Sequence, residues 1–314
     1  MDNREKRIAI TGGSGFVGKS LMKKINTDSF KEVRIIRSKE NDLRNLNEAV
    51  DAFKNIDFVI HMAGITGGIE FTKKNQGSVY FDNITINTNV LESCRINKVK
   101  KIISIGSVCS YPKFPKLPFK EEDIWEGYPE EVNAPYGLAK KMLIVQGEAY
   151  KNQYGMSSQV LLVTNLFGPE DTFEKDKSHV VPAIIVKFHE AIINNNKEVV
   201  LWGDGSPTRD LLFIEDLTDA IMLALFSNSN ISPINIGSGN EISILDLANL
   251  IRELMGGTFD IVWDTTKANG QPRRILDINR AKNELNFIPQ TTIDEGLRKT
   301  IKFYIDHESK TQAL

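Results

Sequence analysis

The chain has 314 residues with a formal net charge of −2; 25% of the residues are charged and 41% are hydrophobic. This length suits one large α/β unit or two lobes that share a cleft. The near-neutral charge gives no electrostatic support for a nucleic-acid or membrane partner. No stretch approaches the roughly 20 apolar residues of a membrane-spanning helix, and there are only two cysteines. We therefore expect a cytoplasmic protein without a secretory signal or a disulfide framework.

Short β-rich runs alternate with helical patterns through the first half of the chain. The predicted strands are Arg7–Thr11, Val33–Arg37, Asp57–Met62, Lys101–Gly106 and Gln159–Val163, and the predicted helices lie near 15–27, 43–54, 78–96 and 135–154. Several strands are nearly continuous apolar runs, as in parallel strands covered on both faces. The alternation predicts an α/β fold with a Rossmann-type doubly wound parallel sheet.

The second half of the chain is less regular. Residues 164–178 are predicted to form a polar loop, and helices are predicted near 179–194, 215–228, 243–255 and 294–307. Five prolines between residues 112 and 135 mark a long irregular stretch, and such a loop is usually functional. The polar tail, from about 307 to 314, is expected to fray. We expect residues 1–165 and about 210–240 to form the Rossmann domain, and about 166–209 and 241–314 a smaller α/β lobe.

The first predicted strand leads directly into a glycine-rich turn and then a helix. Gly13, Gly15 and Gly18 match G-x-G-x-x-G, and Gly12 begins an alternative three-spaced pattern. Without side chains, the backbone can turn tightly and approach a pyrophosphate at the helix N-terminus. The strand–turn–helix context is the one that a dinucleotide site requires. The cofactor is expected to contact Gly12, Ser14, Gly15, Phe16, Val17 and Gly18.

The end of the second strand bears on the choice between NAD and NADP. NAD enzymes usually place an acidic residue there to bind the ribose hydroxyls. This strand instead ends at Arg37. A guanidinium there could pair with a 2′-phosphate, or it could be an ordinary solvated strand-end residue. The sequence therefore favours NADP.

Tyr136 and Lys140 are four residues apart in a predicted helix and share one face. A free phenol has a pKa of about 10, and a nearby ammonium favours the phenolate. We therefore expect Lys140 to move the pKa of Tyr136 toward a useful range. Ser107 follows a predicted strand, and the strand ends of a doubly wound sheet face the ligand crevice. This combination predicts hydride transfer between a nicotinamide dinucleotide and a carbonyl.

The glycine turn, Ser107 and the Tyr136–Lys140 pair together resemble the extended short-chain dehydrogenase/reductase family. In that family the serine and tyrosine hold the substrate oxygen, and the lysine also binds the nicotinamide ribose. Six segments carry a closer resemblance to its GDP-L-fucose synthase subgroup: residues 106–112, 135–140, 164–169, 178–183, 202–209 and 271–277. Together they span nearly the whole chain, and the combination is far more specific than any single motif.

This subgroup inverts C3 and C5 of GDP-4-keto-6-deoxy-D-mannose and reduces C4 with NADPH. The resemblance implies that Cys109 is the base and His179 the acid, and both groups titrate close enough to neutrality to shuttle protons. Ser107 and Tyr136 could stabilise charge on O4 during enolisation. By contrast, His61 is expected to pack near the cofactor, and His189 and His307 to lie on helix faces. No Cys/His spacing suggests a metal.

The resemblance also implies binding residues. Further NADP(H) contacts are expected from Arg37, Asp42, Leu43, Ala63, Gly64, Lys140 and His179. The GDP-sugar is expected to contact Asn165, Lys187, Trp202, Arg209, Asn269 and Arg273, because basic groups neutralise a pyrophosphate and an indole covers a ring face. For Arg273 and its neighbour Arg274, a solvated surface position is equally open. The Rossmann domain would hold NADP(H), the smaller lobe would hold the nucleotide sugar, and two chains would pair as a homodimer.

Three positions depart from the subgroup and leave alternatives open. Ser14 and Asn269 stand where a basic residue and an aspartate are common, and Lys187 stands where arginine is frequent. A sister activity on a related GDP-4-keto-deoxy-sugar, for colitose or a deoxyheptose, would keep every motif. A dehydratase is disfavoured because such relatives carry an Asp-Glu pair near the catalytic serine, whereas this chain has Val108-Cys109-Ser110. A non-catalytic dinucleotide-binding protein could use the same fold, but the retained catalytic set argues against it.

Overall fold

A computed structural model describes residues 5–25, 27–174, 178–267 and 269–312 of the chain. Its strands are β1 (Arg7–Thr11), β2 (Glu32–Ile36), β3 (Phe58–His61), β4 (Lys101–Ile105), β5 (Ser157–Val163), β6 (Asn165–Phe167), β7 (Glu198–Trp202), β8 (Thr208–Arg209), β9 (Leu211–Phe213), β10 (Ile234–Ile236), β11 (Ile242–Ser243), β12 (Asp260–Asp264) and β13 (Arg273–Arg274). Its helices are α1 (Phe16–Lys24), α2 (Leu46–Ala52), α3 (Ile69–Lys74), α4 (Gln76–Ile96), α5 (Ala134–Tyr154), α6 (Val180–Ile193), α7 (Ile214–Phe226), α8 (Ile244–Leu254), α9 (Asn279–Leu285) and α10 (Ile293–Gln312). Within the described residues, none of these helices combines the length and apolar character needed to cross a membrane.

The central sheet has the order β10-β5-β4-β3-β1-β2, and all of its neighbouring strands are parallel. In β1, Thr11 is in register with Ile36 of β2 and with His61 of β3, so the three strands end at one edge. The chain adds β2 on one side of β1 and β3 on the other. That reversal is the topological switch point, where doubly wound sheets bind ligands. The predicted Rossmann-type fold is confirmed.

Both faces of the sheet are covered, which explains the nearly continuous apolar strands. Along β1, the side chains of Ile8 and Ile10 join one buried cluster, and that of Ala9 joins the other. This alternation follows from the two-residue repeat of a strand. All five residues of β4 are buried. A parallel sheet enclosed in this way holds its strand ends rigidly, and functional groups placed there inherit that rigidity.

Several boundaries differ from the sequence-based predictions. The predicted polar loop 164–178 begins with a strand, β6, which pairs with β9, and its residues 175–177 lie outside the described residues. A sixth sheet strand, β10, was not predicted. Helix α2 is shorter than residues 43–54 because the Asn45 side chain accepts hydrogen bonds from the amides of Asn47 and Glu48 and caps it. Helix α10 continues to Gln312, through most of the predicted polar tail; residues 313 and 314 lie outside the described residues, and fraying of the tail stays a prediction.

The proline-rich stretch 112–135 is anchored by buried polar groups. The Asn235 side chain donates to the carbonyls of Phe119 and Asp277 and accepts from the Tyr111 hydroxyl, at 2.7–3.1 Å. The Asn235 amide donates to the Glu121 carboxylate at 2.9 Å. The stretch is therefore fixed between the central sheet and the segment that contains β13. Beyond the central sheet, β8 pairs with β11 and β13, and β7 pairs with β12; the predicted division into two domains stays a prediction.

Candidate active site

The glycine turn is held at van der Waals distance from neighbouring backbone. Gly12 has a φ of +71°, and a Cβ there would lie 2.8 Å from the Ala63 nitrogen. A Cβ at Gly18 would collide with the Gly12 carbonyl oxygen, so α1 crosses the turn as closely as backbone allows. Gly15 is the N-cap residue of α1, and no side chain of the described residues caps this N-terminus. The unpaired amides of that first turn form a site for an anion.

The other predicted cofactor residues differ in how exposed they are and in whether their side chains already have a partner within the protein. Ala63 and Gly64 follow β3, directly beside Gly12. Arg37 follows β2, is more than half exposed and lies 3.6 Å from Glu40. The Asp42 carboxylate already accepts hydrogen bonds from Arg44, which lowers the pKa of Asp42, and Leu43 is buried in the core. Ser14 is exposed in the turn.

Helix α5 packs onto the turn that follows β4, and this contact assembles the reacting groups. The Ser107 hydroxyl accepts from the Cys109 amide at 3.1 Å and caps that turn. A Cβ at Gly137 would collide with the Cys109 carbonyl oxygen, and the Ser110 hydroxyl donates to the Gly137 carbonyl at 2.9 Å. Gly137 therefore permits an approach that brings the neighbouring Tyr136 beside Cys109. Sequence reasoning had assigned no role to Gly137 or Ser110.

The electrostatics of Tyr136 and Lys140 differ from the sequence-based expectation. Lys140 is buried, which lowers its pKa to about 8. Its Nζ lies 6.0 Å from the centre of the Tyr136 ring. Burial raises the pKa of Tyr136, the electrostatic interaction with Cys109 raises it further, and a hydrogen bond with Thr66 opposes both effects. The expected lowering by Lys140 was therefore wrong, because burial outweighs an ammonium at that distance. Tyr136 is held as a neutral phenol, which is a proton donor.

His61 forms a buried hydrogen-bond chain that sequence reasoning had treated as packing. Its Nδ1 lies 2.8 Å from the Thr11 hydroxyl and its Nε2 lies 3.0 Å from the Asn87 side-chain oxygen. The Asn87 amide group donates to the Ala139 carbonyl at 2.9 Å. Because an amide oxygen only accepts, Nε2 carries the proton and Nδ1 accepts from Thr11. Burial lowers the pKa of His61 to about 3, with a smaller contribution from Lys140, so the imidazole is neutral. The chain ties β1 and β3 to the turn of α5 that carries Lys140.

Cys109 faces two guanidinium groups. Arg274 Nη1 lies 3.9 Å from its Sγ, and the Arg274 Nε donates to the Gln271 side chain at 2.7 Å. Arg209 donates to the carbonyls of Thr208 and Gln271. Burial lowers the pKa of Arg209 to about 10, the Arg274 charge contributes, and Cys109 opposes the change. These contacts place positive charge around a partly exposed thiol.

His179 is paired with a carboxylate that sequence reasoning missed. It is the N-cap residue of α6, its side chain is about half exposed, and its Nδ1 lies 3.8 Å from the Asp171 carboxylate. The Asp171 side chain is almost fully buried. Asp171 raises the pKa of His179, and partial burial opposes this. Next along the loop, Glu170 pairs with Lys19 and Lys23 of α1. No motif signals the Asp171 contact, because it depends on the path of a loop.

The predicted substrate residues occupy the small sheets and their loops. Trp202 is 59% exposed at the end of β7, with the Nζ atoms of Lys187 and Lys267 at 5.7 and 5.6 Å from its ring centre. The Asn269 side-chain oxygen accepts from the Asp204 amide, and the Asn165 amide group donates to the Asp210 carbonyl at 3.3 Å.

The adjacent arginines of β13 separate, as successive strand residues do. Arg273 is exposed and pairs with Glu241, whereas Arg274 is the member that faces Cys109. The sequence left a solvated surface position open for both.

Comparison with known proteins extends the similarity over almost the whole chain. A family model described as "NAD dependent epimerase/dehydratase family" matches residues 8–237. Probable GDP-L-fucose synthase 1 of Oryza sativa subsp. japonica is 34% identical over 305 residues, which cover 96% of this chain and 92% of that protein. GDP-L-fucose synthase of Sinorhizobium fredii is 35% identical, with 96% of each chain covered. A crystal structure of a GDP-L-fucose synthetase from Naegleria fowleri bound to NADP has a TM-score of 0.87 and 27% identity, covering 98% of this chain and 96% of that one.

Proposed function

The chain belongs to the NAD dependent epimerase/dehydratase family, and we propose that it converts GDP-4-keto-6-deoxy-D-mannose into GDP-L-fucose. The reaction inverts C3 and C5 and then reduces the C4 ketone. Similarity to GDP-L-fucose synthases over 96% of the chain supports this substrate. The observation that carries the proposal is the packing of α5 onto the turn after β4, which sets Cys109, a group able to move protons, beside Tyr136 and Ser107.

The cofactor is NADP(H), and the carboxyl edge of the sheet fits it. The pyrophosphate would lie where a Cβ at Gly12 or Gly18 would collide with backbone and where the first amides of α1 are uncapped. Gly64 leaves space beside the Lys140 ammonium, since a Cβ there would lie 3.3 Å from Nζ. Lys140 would hold the nicotinamide ribose, and Arg37 would face the 2′-phosphate. When bound, NADPH supplies the hydride that reduces C4.

The residues of the chain supply the proton transfers. The C4 carbonyl makes the hydrogens at C3 and C5 weakly acidic because it stabilises the enolate. The Cys109 thiolate removes such a proton, and the His179 imidazolium returns one to the opposite face. Ser107 and Tyr136 donate hydrogen bonds to O4 and stabilise the charge of the enolate. During reduction the phenol, kept protonated by its burial, gives its proton to O4.

The remaining predicted residues would bind the GDP portion in the smaller lobe. Lys187 and Arg209 would neutralise the diphosphate, and Trp202 would cover a ring face. Asn165, Asn269 and Arg273 would complete the contacts. We place this lobe at about 166–209 and 241–314, and the NADP(H) domain at 1–165 and about 210–240.

The test is to incubate the protein with GDP-4-keto-6-deoxy-D-mannose and NADPH and to identify the product by NMR. We expect GDP-L-fucose. A C4-reduced product that keeps the starting configuration at C3 and C5 would reject the epimerisation. Faster turnover of a GDP-4-keto-deoxyheptose would assign the sister activity, and NADPH binding without turnover of either sugar would favour a non-catalytic role.

A Cys109→Ser variant tests the proton shuttle within the same assay. We expect it to abolish exchange of solvent deuterium into C3 and C5, while a ketone supplied already epimerised is still reduced. Undiminished exchange would remove Cys109 from its assigned role. Comparing NADPH with NADH in the wild type and in Arg37→Ala tests the cofactor contact.

We further propose a cytoplasmic homodimer. The two cysteines are free thiols, which suits a reducing compartment. Large apolar side chains are exposed on α4 and α5, namely Tyr80, Phe81, Ile96, Val145 and Tyr154. Pairing of these helices between two chains would bury them. Sedimentation of the wild type and of Phe81→Glu tests the interface, and a wild-type monomer would reject it.

A further inference from the structure

We propose that two oppositely charged residues, Arg274 beside Cys109 and Asp171 beside His179, set the direction of proton transfer at the epimerising carbons. Both act as positioning residues through their neighbours, and neither is assigned contact with substrate. The inference rests on the proposed function. In it, Arg274 makes the Cys109 thiol a base and Asp171 makes the His179 imidazole an acid.

On the Cys109 side of the site, positive charge lies close to the sulfur. The Arg274 guanidinium is held from behind by Gln271, whose own amide group donates to the Lys113 carbonyl at 2.8 Å. Its Nη1 is thereby directed at Sγ, 3.9 Å away. In the described part of the chain, the other titratable groups that interact with Cys109 are Arg209 and Tyr136. Positive charge near a thiol favours the thiolate, which is the form that accepts a proton.

The His179 side favours a positive imidazole. Asp171 is almost fully buried, and its Oδ1 accepts from the Thr172 amide at 2.7 Å and lies 3.8 Å from the His179 Nδ1. Among the described residues, its Oδ2 is buried without a hydrogen-bond partner. A buried carboxylate with so few donors gains most from a neighbouring cation. Because Asp171 faces Nδ1, the Nε2 proton is the one free to move.

The proton balance of one inversion follows from these contacts. A C–H bond breaks, an S–H bond forms on Cys109, and the electron pair enters the enolate. The Nε2–H bond of His179 then breaks, and a new C–H bond forms on the opposite face. This leaves a thiol and a neutral imidazole. Loss of one proton to solvent and gain of one from solvent restore the starting pair, which Arg274 and Asp171 favour.

Alkylation of the free enzyme by iodoacetamide tests the Arg274 half without any substrate. Cys109 is partly exposed, and the only other cysteine, Cys94, is fully buried. Basic residues between them place the two in different tryptic peptides, so peptide mass distinguishes their alkylation. Thiolates are the reactive form. We expect the Cys109 rate at pH 7 to fall about tenfold in Arg274→Met, with the rates converging at pH 9.5, and Arg274→Lys to restore most of the loss.

The matched control is Arg273→Met, which removes the adjacent guanidinium that pairs with Glu241. Its alkylation rate should equal that of the wild type. A ratio of the pH 7 to the pH 9.5 rate that is unchanged in Arg274→Met would overturn the assignment. A rate lowered equally at both pH values would also overturn it, because that indicates altered access rather than altered charge.

The Asp171 half is tested by NMR titration of the His179 imidazole. We expect its midpoint to move to lower pH in Asp171→Asn and to stay in place in Glu170→Gln, which removes the neighbouring carboxylate that faces α1. An unmoved midpoint in Asp171→Asn would overturn this half. Both tests need only the free enzyme, so they can succeed if the sugar substrate is wrong, and they can fail while GDP-L-fucose is still made.

Discussion

Two regions of the molecule are stabilised by different kinds of contact. One is the edge of the sheet where β1 and β3 end; the other is the wall formed by β7, β8, β12 and β13. At the edge, Thr11, His61 and Lys140 are buried, and glycines stand where a Cβ would meet backbone. On the wall, Trp202 and Arg273 are exposed, and their contacts are cation–π and surface ion pairs. Backbone and buried hydrogen bonds fix the first region, whereas flexible side chains form the second.

This difference has a functional meaning for an enzyme that must do two things. Proton and hydride transfer demand fixed atoms, because small misplacements are costly in rate. Recognition of a large nucleotide sugar tolerates adjustable contacts. Substitutions at the edge should therefore change the turnover number or the stability of the fold, whereas substitutions of the exposed wall side chains, such as Trp202, should change mainly the KM of the sugar. Arg274 lies on the wall but faces Cys109, so it belongs with the groups that position the reacting atoms.

The largest effect is expected from Tyr136→Phe at the edge. Loss of the phenolic proton donor should lower kcat for reduction about 10²–10⁴-fold, with little change in the free energy of unfolding. Steady-state kinetics with a ready-epimerised ketone would measure it. Tyr111→Phe is the control, since its buried hydroxyl donates to the Asn235 side chain; its loss should lower the free energy of unfolding and leave kcat unchanged. If kcat for reduction by Tyr136→Phe stayed within tenfold of the wild-type value, the edge would not control turnover.

Gly12→Ala should produce the next largest effect, on folding and on NADPH binding together. Its Cβ would approach the Ala63 nitrogen to 2.8 Å at a φ of +71°, so the unfolding free energy should fall by about 2–5 kcal/mol. Gly155→Ala is a matched control with a φ of +69°, where no described atom lies within 4 Å of the Cβ. It should lose only about 1–2 kcal/mol. Denaturant titration measures the unfolding free energy, and calorimetry measures NADPH binding. If Gly12→Ala and Gly155→Ala lost the same unfolding free energy, the close approach of the Gly12 backbone to Ala63 would not matter for stability.

The two regions also differ in how far the sequence predicts them. The glycine turn was predictable because its geometry excludes other residues, and the Tyr136–Lys140 spacing because it is local. The pKa direction of Tyr136 was not, since burial depth depends on the packing of α5. Strand β6 was missed because its stabilising partner, β9, lies more than forty residues away. The Arg274 and Asp171 contacts depend on strand register and loop path, which no spacing in the sequence encodes.

The buried hydrogen-bond chain through His61 makes the stability of the edge depend on pH. A histidine ordinarily has a pKa of about 6.5, and burial lowers the pKa of His61 to about 3, so between those values the unfolded chain binds one more proton. The stability contribution is therefore complete above pH 6.5 and is lost as the pH falls toward 3, by up to about 1.4 kcal/mol per pH unit.

His61→Gln should remove that dependence. At pH 7 it should lower the unfolding free energy by about 1–3 kcal/mol, because the Thr11 hydroxyl loses its acceptor. Denaturant titrations from pH 4 to 7 would show a flatter acid limb than in the wild type. If both proteins lost stability in parallel over this range, protonation of His61 would not be the cause.

The smallest effect is expected on the wall, from Trp202→Ala. Exposed cation–π contacts contribute only about 0.5–1 kcal/mol each, and Trp202 has two of them, so the free energy of unfolding should fall by no more than about 1–2 kcal/mol. The KM of the GDP-sugar should rise several-fold with kcat nearly unchanged, because the indole binds the ground state and the transition state alike.

Trp125→Ala is the control. This tryptophan is 54% exposed and has Lys141 at 4.7 Å from its ring centre, but it lies outside the wall, so the KM of the GDP-sugar should not change. A fall in kcat for Trp202→Ala would show that the wall, like the edge, positions the reacting atoms.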